Sequence, residues 1–113
     1  MGSLAAGTVV LVSFPFSDLS QAKLRPALVL GHAGRDDWIL CQITSNPYAD
    51  STAVSLADSD FASGSLARDS FLRPNKLFTA QESLIARVIG RLHAAKLSEV
   101  RRALGRLLSI HEK

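Results

Sequence analysis

The residues 14–30, FPFSDLSQAKLRPALVL, put one cation between two different kinds of chain. SDLSQAK is polar and of a length that can leave a small domain and return. PALVL is a short apolar run opened by a proline, which reads as a strand. Arg25 is the last residue before Pro26. A residue preceding proline is biased toward extended backbone, so its guanidinium is expected to be held in place. A held guanidinium offers parallel N–H donors with a fixed positive charge, which suits a phosphate or carboxylate. The plainer reading is a solvated surface arginine marking the start of a strand, and on this stretch alone both stand. Cys41, inside WILCQI, has no cationic neighbour in the chain to lower its pKa and reads as a buried, inert thiol.

The bulk properties limit the setting for this chemistry. The chain has 113 residues, 47% hydrophobic and 20% charged. That fits one domain, spanning residues 1–113, with a true core. No apolar run approaches the roughly 18 residues of a membrane helix. The start, MGSLAAGTVVLV, has no basic segment before its apolar run and is a poor signal peptide. A single cysteine excludes an internal disulfide, and the expected setting is reducing and cytoplasmic. No Cys/His cluster suggests a structural zinc site, and no metal or cofactor is expected. The net charge of +3 and pI near 9.5 permit a nucleic-acid partner without establishing one. The basic residues recur singly, as a basic face made by folding or as an ordinary solvated surface.

The elements that must position these groups are mostly strands. GTVVLVSF (7–14), PALVLGHA (26–33) and WILCQITS (38–45) are apolar and rich in β-branched residues. The second and third are joined across the turn signal Gly34-Arg35-Asp36-Asp37. AVSLA (53–57), DSFLR (69–73), Lys76-Leu77-Phe78 and LIARVIGRL (84–92) follow. Short strands with frequent turn signals indicate a small barrel or curled sheet. The period then changes. In AAKLSEVRRALGRLLSI, Leu97, Val100, Leu104, Leu107, Leu108 and Ile110 follow three-four spacing, while Arg101, Arg102 and Arg106 fall off the stripe. This predicts one amphipathic helix of about four turns packed on the barrel.

Taken in order, Gly7, VLVSFPFSDL, KLRPALVL, CQITS, LRPNKLFT, IGRL and the closing leucine-rich helix resemble the MazF/PemK (Kid) family of bacterial type II toxins. The resemblance runs from about Gly7 to Leu108. It implies a mainly β (α+β) fold, an SH3-like curled β-barrel with a C-terminal amphipathic helix, assembled as a homodimer. It also implies a sequence-specific, metal-independent endoribonuclease, an mRNA interferase that inhibits growth by cutting single-stranded RNA. The products would carry a 2′,3′-cyclic phosphate and a 5′-hydroxyl. The implied partner is a cognate antitoxin, small and acidic, with a disordered tail that fills the RNA groove. By position, Arg25 matches the catalytic arginine and Thr44 the active-site threonine, with Ser45 after it. The loop 15–24, carrying Phe16, Ser17, Asp18 and Lys23, matches the loop that closes over RNA. Phe16 is the aromatic expected to meet RNA, while Phe14 reads as core and Trp38 as a barrel cap or a stacking surface. Gln42 and Asn46 are candidate readers of base edges.

The chemistry needs a base for the 2′-hydroxyl, stabilisation of the phosphorane charge, and an acid for the leaving 5′-oxygen. Arg25 suits the second need, and the Thr44 hydroxyl can bond the same phosphate. The base is open. Some relatives carry a carboxylate where this chain has Arg73, which could add a phosphate contact or pair with a surface acid. Asp18, Asp69 and Arg25 itself are candidates. His32 is another by its ordinary pKa, although it reads as a half-buried strand-end residue. Thr8, where the family often has an acid, reads as structural. The missing carboxylate keeps a second reading open, a non-catalytic RNA- or peptide-binding module of the same fold. A gyrase-poisoning toxin is a third, for which the tail SIHEK carries no signal.

Overall fold

The structure is a computed structural model that describes residues 4–15, 22–47 and 49–110. Seven strands make one antiparallel sheet: β1 (Thr8–Pro15), β2 (Ala22–Gly34), β3 (Asp37–Thr44), β4 (Val54–Leu56), β5 (Phe61–Gly64), β6 (Ser70–Gln81) and β7 (Ile85–Leu92). Their spatial order is β4-β6-β3-β2-β1-β7-β5. One helix, α1 (Ala94–Leu107), closes the chain. The sheet curls until Val54 and Leu56 of one edge strand share a core cluster with Phe61 of the other. This is the expected curled barrel with its C-terminal helix.

The central strands are apolar without alternation because both of their faces are buried. Val9, Leu28, Cys41, Ile43 and Leu72 face Val100 and Ala103 of the helix. Val10, Val12, Ala27, Val29 and Leu40 form a second cluster with Leu4, Ala80 and Ile85, and Trp38 and Phe78 pack against it. Cys41 is fully buried, and burial pushes its thiol pKa up to about 12, so it is the inert thiol its surroundings suggested. Thr8 is buried at the start of β1, in keeping with a structural role.

Four elements differ from the sequence reading. β2 begins at Ala22, so Lys23, Leu24 and Arg25 belong to a strand and not to a loop; they pair with Phe14, Ser13 and Val12 of β1. β5 was not expected, because FASG has one large apolar residue and a glycine. LRPNKLFT lies within one strand. The register jumps from Cys41↔Leu77 to Gln42↔Arg73, so Pro74, Asn75 and Lys76 bulge out of the ladder. The helix stripe is buried only in its first part. Val100 and Ala103 are buried, whereas Leu107, Leu108 and Ile110 are exposed. Lys96 ties the helix down, donating to the Ser55 carbonyl at 3.0 Å and pairing with Glu99 at 2.9 Å.

The segment after β3 is pinned to β6 by a largely buried ion pair. Arg73 Nε donates to Asp50 Oδ2 at 2.9 Å, with the two side chains only 14% and 6% exposed. Asp50 Oδ1 also accepts the Thr52 hydroxyl at 2.6 Å and the Thr52 N–H at 2.9 Å. These bonds, the Thr52 hydroxyl first and then Arg73, hold the Asp50 carboxyl at about 2 against an ordinary 3.8. The folded value lies below the unfolded one. The stabilisation is therefore complete above the unfolded pKa and is lost as pH falls from 3.8 toward about 2. Thermal melts of the parent and Asp50→Asn between about pH 6 and about pH 2 should show the parent's advantage shrinking across that acid window. A constant difference would show that the pair is not linked to folding.

IGRL owes its glycine to backbone contact. Gly64 and Gly90 pair across β5 and β7. A Cβ on Gly64, at φ +75°, would lie 2.1 Å from the Ile89 carbonyl oxygen, and one on Gly90 would lie 2.4 Å from that of Ser63. Gly31 in β2 has open space around it. Gly64→Ala and Gly90→Ala should each cost about 1–3 kcal/mol or more in urea unfolding, while Gly31→Ala stays within about 1 kcal/mol of the parent.

Candidate functional site

The β2–β3 ladder runs from the Gly34↔Asp37 hairpin end down to Ala27↔Gln42 and stops there. The next residue on β2 is Pro26, which has no N–H to donate. β2 continues on β1, through Pro26↔Leu11 and Val12↔Arg25, and β3 continues on β6, through Thr44↔Phe71. Each strand keeps its outer neighbour while the pair between them is released. A groove of about 390 Å³ occupies this end of the sheet.

Lys23, Leu24, Arg25 and Pro26 line one side of the groove, and Ile43, Thr44 and Ser45 line the middle. Leu66, Arg68 and Ser70, before and at the start of β6, line the far side, and Leu11 of β1 adds apolar surface. Three cations and three hydroxyls therefore converge on a partly apolar trough, and no carboxylate or histidine lines it among the described residues. Such a lining suits an anion that also carries flat apolar surface. Nothing in the spacing of Arg68 marked it out in the sequence. It enters the groove only because Thr44 and Phe71 are paired, which brings the segment before β6 beside the end of β3.

The hydroxyl of Thr44 is part of a turn. It donates to the Asn46 carbonyl at 3.0 Å and accepts the Asn46 N–H at 3.1 Å. This two-residue link bends the chain at the end of β3 and leaves Ser45 exposed at the groove.

Of the residues picked from the sequence, Lys23, Arg25, Thr44 and Ser45 share the groove. Gln42 and Arg73 face each other one register step inside the sheet and do not line it, and Arg73 takes the acid-pairing alternative, with Asp50 as its partner. Asn46 is tied to Thr44 through its backbone and does not line the groove either. Phe16, Ser17 and Asp18 lie outside the described residues. Asp69 is exposed beside Arg68 and does not line the groove. His32 is exposed, not half-buried, and sits seven residues further along β2, roughly 23 Å away in a strand. There its ring lies 4.8 Å from Trp38, whose Nε1 donates to Glu82 at 3.1 Å. Trp38 is the barrel cap at the end opposite the groove. Among the described residues no group of His, Cys, Asp and Glu side chains could hold a metal ion, and no helix is long and apolar enough to cross a membrane.

The fold is shared with known proteins. Over 100% of both chains, the structure matches an endoribonuclease from a mycobacterial species, solved in complex with its cognate antitoxin, at a TM-score of 0.74 and 16% identity. A chain of the MazE–MazF complex of Deinococcus radiodurans matches at 0.74 and 24% identity, over 94% of this chain and 96% of that one. MazF of the same organism matches at 0.72 and 26% identity, over 97% and 100%. A search of curated proteins gives no match. The family model of the PemK-like, MazF-like toxins of type II toxin–antitoxin systems matches residues 5–108, and the chain belongs to that family.

Proposed function

We propose that the protein is an endoribonuclease toxin that cuts single-stranded RNA at a short sequence, without a metal, and is held in check by a cognate antitoxin. The observation that carries this reading is the meeting of Arg25 and Thr44 in a cationic groove opened by Pro26. Family membership supports it, as do the relatives known as endoribonucleases, one of them in complex with its antitoxin. A homodimer is part of the proposal. Ile39 and Leu77, exposed on neighbouring strands β3 and β6, supply apolar surface that such an assembly could cover.

The reaction proposed is attack of the 2′-hydroxyl oxygen on the adjacent phosphorus. The 2′-hydroxyl gives its proton to water, the bond to the 5′-oxygen breaks, and that oxygen takes a proton back from water, giving a 2′,3′-cyclic phosphate and a 5′-hydroxyl. Arg25 stabilises charge on the non-bridging oxygens with two parallel N–H bonds. Thr44 keeps the Asn46 N–H in either state. Its own proton turns from the Asn46 carbonyl to a phosphate oxygen, exchanging a neutral hydrogen bond for a stronger, charge-assisted one. Ser45 and Lys23 contact the flanking backbone, and Leu24, exposed at the rim, packs against a base or sugar.

The lack of any carboxylate or histidine in the described lining favours one other reading, a member that binds RNA and leaves it whole. Such a protein would bind with steep salt dependence and show no cuts.

A cleavage assay separates the two. Mixed-sequence single-stranded RNA with EDTA should be cut at a recurring short motif, with 5′-hydroxyl ends. Arg25→Ala should lose about a hundredfold or more in kcat with an unchanged melting curve, and Arg25→Lys should recover little of it. Thr44→Val should lose activity by a similar factor, whereas Thr44→Ser, which keeps the turn, should stay within about tenfold of the parent. If Arg25→Ala and Thr44→Val both cut as well as the parent, the site is misassigned. RNA bound with steep salt dependence but left whole by the folded parent would establish the binding module.

A further inference from the structure

We infer that Arg68 is a substrate-binding residue of the same groove, holding the phosphate next to the one that Arg25 and Thr44 act on. The inference rests on the RNA-cutting reading and extends it to a residue that no sequence motif singles out. β3 lies between β2 and β6 in the sheet. Arg25 reaches the groove from the β2 side, and Arg68 reaches it from the segment leading into β6. Arg25 and Arg68 therefore stand on opposite walls of the groove, with Thr44 and Ser45 between them. Cations on facing walls suit neighbouring phosphates of one strand laid across the end of β3.

The segment that presents Arg68 is built. The Ser65 hydroxyl donates to Asp58 Oδ1 at 2.6 Å and accepts the Ala67 N–H at 2.9 Å. Ala67 is held at φ +63°, a left-handed conformation that costs a residue with a Cβ about 1 kcal/mol or more. The Ser70 hydroxyl then donates back to the Arg68 carbonyl at 3.3 Å. Arg68 takes part in none of the ion pairs among the described residues, and its side chain is exposed at the groove. Arg73, five residues on, has its Nε on the largely buried Asp50 instead. Of these two arginines, only the one in the groove is left to the solvent.

The test compares the parent with Arg68→Ala, Arg68→Lys and, as a control on the exposed helix face, Arg102→Ala. Cleavage kinetics are read on a short RNA spanning one mapped cut. Binding is read against salt on the same RNA with 2′-deoxyribose at the cut. Arg68→Ala should raise KM about tenfold or more while kcat stays within about twofold, the worth of one charge-assisted hydrogen bond. The slope of log affinity against log salt should become shallower by about 0.7, the share of one phosphate on a single strand. Arg68→Lys should restore most of the slope, and Arg102→Ala should change neither quantity. A parent that cuts beside an Arg68→Ala indistinguishable from it overturns the inference alone. A fall in kcat at constant KM overturns it too, because it places Arg68 on the reacting phosphate. If the parent binds mixed-sequence RNA without cutting it and Arg68→Ala still loses the slope, the phosphate contact stands and the nuclease reading falls. A parent that neither cuts nor binds removes both.

Discussion

One missing N–H organises this end of the molecule. An antiparallel pair persists as long as each residue can give and take its ladder bonds, and Pro26 cannot give. It stands next to the last pair of the β2–β3 ladder, Ala27↔Gln42. A proline between two partners would ordinarily weaken a sheet. Here each released strand is retained by its other neighbour, β2 by β1 and β3 by β6. The sheet is therefore open at one place without being frayed. Arg25 and Thr44 come to the opening from opposite sides on backbones that are still paired, which is the rigidity a charge-stabilising site requires.

Burial on both faces protects that arrangement from slippage. A shift of one residue in β2 would exchange Ala27 and Val29, which belong to one cluster, with Leu28, which belongs to the other. It would also turn Arg25 to the wrong side. The helix contributes by covering one face through Val100 and Ala103. Gly64 and Gly90 contribute by letting β5 close against β7, so that the curl brings the two edges over a common core. Residues far from the groove thus set its register.

Much of this was legible in the chain, and the rest was hidden for identifiable reasons. The long apolar strands and the amphipathic helix carry their own periodicity, and RPALVL with CQITS carried the family. The start of β2 was hidden because AKLR is polar at alternate positions and borrows its extended form from pairing with β1. β5 was hidden because FASG has one large apolar side chain, Phe61, and reaches β7 through a glycine. LRPNKLFT looked like two strands because three residues of one strand leave the ladder, Pro74 turning into the core and Asn75 and Lys76 to the surface. In the groove, Arg25 drew attention by its place before Pro26, and Thr44 by the resemblance that CQITS carries. Arg68 did not, because its place in the groove depends on which strand β3 pairs with next, and that is a long-range fact.

Arg68 and Arg73 show how little residue type decides by itself. Arg68 stands two residues before β6 and Arg73 is the fourth residue within it. Arg73 lies opposite Gln42, inside the sheet, where a bare guanidinium would be costly; Asp50 and Thr52 gather around it, and the pair becomes a clamp on the chain that follows β3. Arg68 lies before the strand begins, exposed to solvent at the groove. The charge of the buried arginine is spent on structure, and that of the exposed one remains available to the groove.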